Sequence, residues 1–396
     1  MNDAILHADV QAFINENLDT DILKLVFKKS PFAHVSAKEL AEQIEAKRKI
    51  NKKLPTWFTT PGIYFANKLN ISQTSSEATA TYKASLVDGN TLADLTAGFG
   101  VDTYAFSKKM KQVYHVETEL ELSNIAQSNC DAMKVSNVTM VHANGIDFLE
   151  QTKETLDWIY IDPSRRTDTQ EKVYFLSDCE PDVTLYTDLF LFKCNNILIK
   201  TGPLLDLSIG QAQLKHVKEI HIIALNNEVK EVLWVLEKGF KGEPSVKAVQ
   251  LSNSTTEVFA FLRSGEQAAV PTFSLPQKYL YEPNAAVLKS GAFKLLCSRF
   301  GVNKLHPHSH LYTASQAKDF PGRHFEIKAV VNYNKKEIQK LDLGKANIST
   351  RNFPDSVATI RKKLKLKDGG SEYLFFTKNV DDKLIVISCS RLLQTK

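Results

Sequence analysis

The sequence predicts an α/β fold built on a doubly wound, mostly parallel β-sheet. Short apolar runs alternate with helical stretches from about residue 91 onward, and the first run leads directly into a glycine-containing turn. The clearest helical stretch covers residues 120–134. The strands predicted for this sheet are 91–95, 112–116, 138–142, 158–161 and 196–200, followed by 220–225, 231–236 and 257–262.

Other patterns flank this sheet. Residues 1–70 have helical periodicity, and Ser36 with Glu39 predicts a capping box that opens a helix at 37–49. The prolines and aromatic residues around Trp57 are most simply a packing joint between this helical region and the sheet. Later predicted elements are an apolar helix at 285–300, a basic helix at 356–364 and a hairpin of 373–377 with 384–388. We therefore expect domains at 1–70, 71–265, 276–320 and 325–396, the last two of α+β type.

Charge is unevenly distributed along the chain. The 396 residues carry a net charge of +5, but residues 321–396 alone carry +8, from 16 basic and 8 acidic residues. A basic module on a near-neutral body is what binding to a polyanion requires. A solvated, lysine-rich surface explains the same charges equally well.

Composition argues against several classes of protein. The five cysteines form no Cys-x-x-Cys pair, which argues against a disulfide framework or a zinc ribbon. His306, His308 and His310 alternate, but Pro307 interrupts them and no second ligand cluster accompanies them, so we expect no metal. No run reaches the roughly 18 apolar residues of a membrane span, and the N-terminus lacks the pattern of a leader. We expect a cytoplasmic protein.

The turn after the first strand is a candidate cofactor site. It contains Asp94, Thr96, Gly98 and Gly100, and glycines there let the backbone approach a ligand closely. A tight strand-to-helix turn without a ligand would also explain them. Glu117 ends the next strand, 19 residues beyond Gly98, where an acid can accept hydrogen bonds from ribose hydroxyls.

Two details of this turn bear on the class of cofactor. A nicotinamide site would share Glu117, but not Asp94, nor Thr103 at the position of a third glycine. The turn therefore favours a cofactor without phosphates. Asn144 and Gly145 follow the third strand and are further candidate contacts, whereas Asp147 and Phe148 are predicted to cap and pack the next helix.

The segment Asp162-Pro163-Ser164-Arg165 follows the fourth strand. Open α/β sheets bind their ligands at this edge, because the loops there surround the ligand. A proline that simply ends a strand would be the better explanation if the segment stood alone. It stands instead in a sheet whose first strand carries a cofactor-like turn.

These residues resemble the motifs of class I S-adenosylmethionine-dependent methyltransferases, at 94–102, Glu117 and Asp162-Pro163. The wider layout resembles bacterial methyltransferases that carry a ferredoxin-like segment and a C-terminal THUMP-like domain, and the catalytic core is similar, more distantly, to trimethylguanosine synthase. The stretches that carry the wider resemblance are 75–79 with Lys83, 279–284, and 351–354 with 363–370. Together they cover most of the chain after residue 70.

The resemblance implies a Rossmann-like sheet with S-adenosylmethionine as its cofactor. Asp94 would bind the ammonium group of the cofactor, Glu117 the ribose hydroxyls and Asn144 the adenine amine, where the usual residue is aspartate. The full set of implied cofactor residues is Asp94, Thr96, Gly98, Gly100, Glu117, Asn144 and Gly145.

The resemblance also implies that Asp162 and the Pro163 carbonyl face the methyl acceptor. In amine methylases with an Asp-Pro-Pro-aromatic motif these groups accept hydrogen bonds from the target amine. Here Ser164 replaces the second proline and Arg165 the aromatic, so Arg165 is expected to hold a phosphate or stack on a base. An Asp-Pro-x-Arg loop is also similar to uracil C5 methyltransferases, but Cys179 has no assignable base and is better explained as a loop cysteine.

We therefore expect an RNA methyltransferase, with rRNA or tRNA as the substrate and a base nitrogen as the favoured acceptor. The lysines expected to contact RNA are Lys362, Lys363, Lys365 and Lys367, although a solvated helix end explains them too. A non-catalytic RNA-binding protein that retains the fold is the main alternative. A nicotinamide-dependent dehydrogenase ranks last.

Overall fold

The computed structural model describes residues 1–165, 175–252 and 255–392. The chain divides into two units, Met1–Ile220 with Lys230–Gly242, and His221–Val229 with Glu243–Lys396. No helix in the described ranges combines the length and the apolar character needed to cross a membrane.

The first unit begins with short helices, as the sequence predicted for residues 1–70. A 3₁₀ turn at Asp3–Leu6 precedes α1 (Ala8–Glu16), α2 (Ile22–Val26), α3 (Ala37–Ile50), α4 (Pro55–Thr59) and α5 (Lys68–Gln73). The predicted capping box is confirmed. The Glu39 backbone N–H donates to Ser36 Oγ at 3.2 Å, and the Ser36 N–H donates to the Glu39 carboxylate at 2.7 Å.

A sheet with helices on its faces follows in the same unit. Its elements are α6 (Glu77–Ala84), β1 (Thr91–Asp94), α7 (Val101–Ser107), β2 (Gln112–Glu117), α8 (Leu120–Ala132), β3 (Val138–His142), α9 (Gly145–Gln151), β4 (Leu156–Ile161), β5 (Ser164–Arg165), a 3₁₀ turn (Leu176–Asp178), β6 (Cys179–Glu180), α10 (Val183–Lys193), β7 (Cys194–Thr201), α11 (Leu207–Gln213), β8 (Val217–Leu225) and β9 (Glu228–Glu237). Strands β8 and β9 run across the boundary into the second unit.

The strand order β3-β2-β1-β4-β7-β9-β8 confirms the predicted Rossmann-like, doubly wound sheet. The pairs β2–β3, β1–β2, β1–β4 and β4–β7 are parallel, whereas β9 runs antiparallel to β7. The carboxyl ends of β1, β2, β3, β4 and β7 therefore meet at one edge. Ligands of open α/β sheets bind at such an edge.

The predicted packing joint around Trp57 is also confirmed. Its side chain is buried, and its ring centroid lies 4.9 Å from that of Phe99 and 5.8 Å from that of Tyr104. Phe99 sits between the two glycines of the turn after β1. The helical N-terminal region is thus packed directly behind that turn.

The second unit begins with an antiparallel pair and a short helix: β10 (Ser245–Leu251), β11 (Thr256–Leu262) and α12 (Arg263–Ala268). Strand β10 was not predicted. Its side chains alternate between buried Val246 or Ala248 and less buried Lys247 or Gln250, and the lysine and glutamine weaken the apolar pattern.

A seven-stranded sheet in the order β13-β14-β12-β15-β18-β17-β16 forms the rest of this unit. Its elements are β12 (Tyr279–Pro283), α13 (Ala285–Ser290), α14 (Leu295–Phe300), β13 (Asn303–Lys304), β14 (Tyr312–Ala314), β15 (Gly322–Asn332), α15 (Lys335–Gln339), β16 (Asn347–Arg351), α16 (Val357–Leu364), β17 (Glu372–Lys378) and β18 (Leu384–Arg391). The basic helix α16 and the β17–β18 hairpin are as predicted.

The single helix predicted at 285–300 is wrong, because two helices occupy this stretch. Gly291 adopts a φ of +79° and ends α13, and α14 begins four residues later. A left-handed glycine at a helix end is a common terminator. The apolar periodicity continues through the break and conceals it.

Gly145 allows α9 to approach the end of β1. A Cβ atom at this position would lie 2.8 Å from the Leu95 carbonyl oxygen and 2.9 Å from Leu95 Cβ. Because backbone atoms are involved, the helix or the strand would have to shift to admit a side chain. The glycine therefore has a packing role next to the cofactor-like turn.

We expect Gly145→Ala to lower the free energy of unfolding by about 1 to 3 kcal/mol, since overpacking against backbone cannot relax cheaply. Urea unfolding followed by tryptophan fluorescence reports this unit, because all three tryptophans, Trp57, Trp158 and Trp234, belong to it. Gly202→Ala is the matched control, because a Cβ there meets no atom within 4 Å. Equal midpoints for the two variants would contradict the packing role.

Candidate active site

The turn between β1 and α7 has two glycines in left-handed conformations. Gly98 has a φ of +56°, and Gly100, the N-cap of α7, has a φ of +88°. A Cβ at Gly100 would lie 3.4 Å from Ala126 Cβ, whereas a Cβ at Gly98 would meet only the Thr96 carbonyl oxygen, 3.9 Å away. Gly100 is thus a packing glycine, and Gly98 presents open backbone.

Glu117, at the end of β2, lies beside Gly98 as the sequence predicted. Its Oε2 accepts a hydrogen bond from the Gly98 N–H at 2.9 Å, and its Oε1 accepts one from the Glu119 N–H at 2.8 Å. These bonds fix the half-buried carboxylate against the turn. The ends of β1 and β2 therefore form one polar surface.

Asp94 lies beneath the turn rather than on its surface. It is 1% exposed, and its carboxylate accepts hydrogen bonds from Thr103 Oγ1 at 2.9 Å and from the Thr96 N–H at 3.2 Å. Burial, and then the negative charge of Asp102, raise the pKa of Asp94 well above its ordinary value. The observed role of Asp94 is to brace the turn. Its contact with a cofactor ammonium group stays a prediction.

Asp162 follows β4 and joins the same edge through Thr96. The Asp162 N–H donates to Thr96 Oγ1 at 2.8 Å, so the turn after β1 and the loop after β4 are directly connected. The Asp162 carboxylate forms an ion pair with Lys200 of β7. Asp162 is 32% exposed and Lys200 is 16% exposed, so both are open to a bound molecule.

The rest of the Asp162 loop is partly described. Pro163 is half-buried. The side chain of Arg165, which the sequence placed at the acceptor, lies outside the described residues. The backbone of Arg165 pairs with Cys179 across β5 and β6, and the Cys179 side chain is buried.

A buried charged network lies behind Asp162. Lys83 of α6 has no solvent exposure, and its Nζ lies 2.9 Å from the Asp102 carboxylate and 3.4 Å from that of Glu231. It also donates to Ser75 Oγ at 2.6 Å, and Ser75 Oγ donates to Asp102 at 2.8 Å. The Tyr160 hydroxyl completes the cluster with a 2.9 Å bond to Asp102.

Burial and charge act in opposite directions on this network. Burial opposes the charge on Asp102, but the Lys83 ammonium outweighs it and lowers the pKa of Asp102. Burial raises the pKa of Glu231, and nearby Lys83 and Lys200 offset it only in part. Burial alone would lower the pKa of Lys200, but the negative charges of Asp162 and Glu231 have the larger effect and raise it.

Sequence reasoning missed Lys200, Glu231, Asp102 and Tyr160 as site residues, and quoted Lys83 only for a family resemblance. One signal was present for Lys200, because the apolar run of β7 ends in this lysine at the carboxyl edge of the sheet. Glu231 lies in the antiparallel strand β9, where the strand-end rule for parallel sheets gives no indication.

Asn144 has a local structural role. Its Oδ1 accepts a hydrogen bond from the Ile146 N–H at 2.8 Å and caps α9, whose first residue is Gly145. The prediction that Asp147 caps this helix is therefore wrong, since Asp147 lies inside the first turn. An adenine contact for the exposed Asn144 stays a prediction.

The lysines predicted to contact RNA lie in the second unit, around the end of α16. All four side chains are exposed, and Lys363 pairs with Asp355 at 2.8 Å. The other three, Lys362, Lys365 and Lys367, form no ion pair with the described residues.

The alternating histidines of the second unit are engaged in local contacts. His306 contacts Asp382 at 3.1 Å, and His310 stacks on Phe293 with a centroid distance of 3.7 Å. Burial lowers the pKa of His310 to about 4. Across the described ranges, no three His, Cys, Asp or Glu side chains are grouped to share a metal ion.

Three family profiles match separate parts of the chain. They are described as "Conserved hypothetical protein 95" for residues 75–180, a ferredoxin-like domain for residues 279–321 and "THUMP domain-like" for residues 322–391. The two C-terminal matches agree with the resemblance seen in the sequence.

The chain is also similar over nearly its whole length to a solved structure. That structure is a Porphyromonas gingivalis W83 protein assigned as a methyltransferase, 30% identical over 98% of both chains, with a TM-score of 0.89. The chain belongs to the same methyltransferase family. Family membership confirms the predicted enzyme class and the C-terminal ferredoxin-like and THUMP-like layout.

A second relative matches only a segment of the methyltransferase chain. It is an uncharacterized RNA methyltransferase of Mycoplasma mobile, 29% identical over 93 residues. The match spans 24% of this chain and about a quarter, 26%, of the Mycoplasma protein. The more distant likeness to trimethylguanosine synthase stays a prediction.

His115 gives the site a pH-dependent stability. It is fully buried under the turn, with Nδ1 3.1 Å from Thr103 Oγ1, and burial lowers its pKa to about 4. The unfolded chain binds a proton near pH 6.5, so His115 stabilises the fold fully above that pH. The stabilisation is lost as the pH falls from 6.5 toward 4.

We expect the loss between pH 7 and pH 4.5 to reach about 2 to 3 kcal/mol in the wild type. His115→Gln can keep a bond to Thr103 but cannot titrate, so its unfolding free energy should depend less on pH by that amount. Tryptophan-monitored urea unfolding at both pH values measures the difference. His7→Gln, at an exposed position, should keep the wild-type dependence, and an unchanged slope in His115→Gln would overturn this account.

Proposed function

We propose that this protein is an S-adenosylmethionine-dependent RNA methyltransferase. The observation that carries the proposal is that the ends of β2 and β4 are both bonded to the turn after β1. The Glu117 carboxylate accepts from the Gly98 N–H, and the Asp162 N–H donates to the Thr96 hydroxyl. These strand ends present two carboxylates, Glu117 and Asp162, at one edge of the sheet. A cofactor site beside an acceptor site calls for this arrangement.

The residues of the turn suit the proposed cofactor. Open space at Gly98 lets a nucleoside approach the backbone, and the adjacent Glu117 carboxylate can accept hydrogen bonds from ribose hydroxyls. S-adenosylmethionine, when bound, supplies an electrophilic methyl group on a sulfonium. The chain itself supplies orientation, through the fixed positions of Glu117 and Asp162.

Two findings support RNA as the substrate. The Mycoplasma relative carries the name RNA methyltransferase, and the C-terminal part matches a THUMP-like profile. The exposed lysines around α16 provide the positive charge that a phosphate backbone requires. We also propose a cytoplasmic location and domain limits of 71–265 for catalysis and 325–396 for RNA binding.

We expect Glu117→Ala to weaken S-adenosylmethionine binding by about 1 to 3 kcal/mol, because two ribose hydroxyls lose their acceptor. Isothermal titration calorimetry of the 396-residue chain measures the dissociation constant. Glu119→Ala, at an exposed position two residues further along the chain, is the control and should bind like the wild type. Absence of binding to the wild type would instead favour a non-catalytic scaffold.

We expect the triple variant Lys362→Gln, Lys365→Gln and Lys367→Gln to bind total RNA more weakly, with a log–log salt slope smaller by up to about 3. Lys363 is left unchanged because it pairs with Asp355. A triple variant at exposed Lys24, Lys28 and Lys29 makes the same change of net charge in the N-terminal region. Filter binding at several salt concentrations compares the two, and equal slopes would contradict RNA contact at α16.

A further inference from the structure

Two lysines and three carboxylates form a group of charges at the acceptor side of the site. Lys200 pairs with Asp162 at the open end, and Lys83 pairs with Asp102 and Glu231 at the buried end. Glu231 and Asp102 also raise the pKa of Lys200, which links the two ends. Lys200 is therefore a charged ammonium group placed beside the carboxylate that faces the acceptor.

An ammonium group in this position is unfavourable for methylation of an amine. Nitrogen gains positive charge as it attacks the methyl group, and the Lys200 charge would oppose this in the transition state. The charge of Lys200 therefore disfavours an amino acceptor.

The same pair suits a hydroxyl acceptor. A neutral hydroxyl is a weak nucleophile, and it becomes a strong one as it loses its proton to a base. A carboxylate can accept that proton while an adjacent ammonium stabilises the negative charge that develops on oxygen. Asp162 and Lys200 are the two groups that this chemistry requires, and both are partly exposed.

We propose that the methyl acceptor is a hydroxyl group, the ribose 2′-hydroxyl of RNA, with Asp162 as the base and Lys200 as the stabilising cation. This inference rests on the proposed function. It replaces the base nitrogen that the sequence favoured. An internal RNA nucleotide offers no hydroxyl other than the 2′-hydroxyl on its sugar.

Every bond and proton of the transfer step is accounted for by the hydroxyl, the cofactor, Asp162 and water. A bond forms between the hydroxyl oxygen and the methyl carbon, and the bond between that carbon and the sulfonium sulfur breaks, with its electron pair remaining on sulfur. The hydroxyl proton passes to the Asp162 carboxylate and then to water. Lys200 keeps its charge throughout.

Glu231 is a positioning residue, since it is buried and raises the pKa of Lys200. Lys83 is buried too and pairs with Glu231.

The product of the wild-type enzyme tests the inference directly. The 396-residue chain is incubated with methyl-tritiated S-adenosylmethionine and total RNA from a strain that lacks the gene, and the RNA is then hydrolysed with alkali. A 2′-O-methyl group blocks cleavage of its phosphodiester, so the label should appear in alkali-resistant dinucleotides. Label in mononucleotides, on the base, would overturn the hydroxyl acceptor and leave the proposed function standing. No transfer to RNA would overturn both.

Variants test the roles of the two groups. Lys200→Met should lower the single-turnover transfer rate by about a hundredfold or more, and leave the affinity for S-adenosylmethionine within about threefold. Lys200→Arg keeps the charge and should recover part of the rate, which a merely structural lysine would not predict. Asp162→Asn keeps the shape of the side chain but cannot take the proton. Its single-turnover transfer rate should therefore fall by about the same factor as that of Lys200→Met.

A matched control separates the loss of positive charge beside Asp162 from the loss of positive charge elsewhere on the protein. Lys218→Met removes a lysine that pairs with Glu237 on the exposed part of the same sheet. This variant should transfer methyl groups at the wild-type rate. Two results would exclude Lys200 as the stabilising cation. One is an equal loss of transfer rate in Lys200→Met and Lys218→Met, and the other is a wild-type transfer rate in Lys200→Met.

Discussion

The ion pairs of one fully buried lysine, Lys83, connect several elements of the first unit. Lys83 lies among carboxylates and hydroxyls from α7, β4 and β9, so a single side chain joins the helix before β1 to both halves of the sheet. A buried charge is tolerated only when it is paired, and removing one partner leaves the other charge uncompensated at a cost of about 3 to 5 kcal/mol. The strand ends that form the site are therefore held together by charge as well as by packing.

The same network gives neighbouring carboxylates different properties. Asp102 contacts Lys83 and has a lowered pKa, whereas Asp94 accepts hydrogen bonds from a hydroxyl and a backbone N–H and has a raised pKa. Two carboxylates buried close together cannot both ionise without cost. Asp102 therefore carries the charge that pairs with Lys83, and Asp94 braces the turn through hydrogen bonds. Asp162, by contrast, lies at the surface of the edge and is 32% exposed.

Part of this site could be predicted from the sequence and part could not. Gly98, Glu117 and Asp162 all follow predicted parallel strands, and the carboxyl ends of such strands meet at one edge whatever the details of packing. Glu231 lies within an antiparallel strand, so its partner Lys83, 148 residues away, follows only from the three-dimensional register. Gly291 was missed for a related reason, because apolar periodicity does not distinguish one helix from two that meet at a left-handed residue.

One cause can account for two departures from the amine-methylase pattern. An aromatic side chain after Asp-Pro stacks a base whose amino group is to be methylated, and this chain has Ser164 and Arg165 there instead. It also has a lysine bonded to the aspartate, which an amine acceptor would not favour. If the acceptor is a ribose hydroxyl, no base has to be stacked over the loop, and a cation beside the carboxylate becomes useful. The loss of the aromatic and the presence of Lys200 then follow from the same substrate.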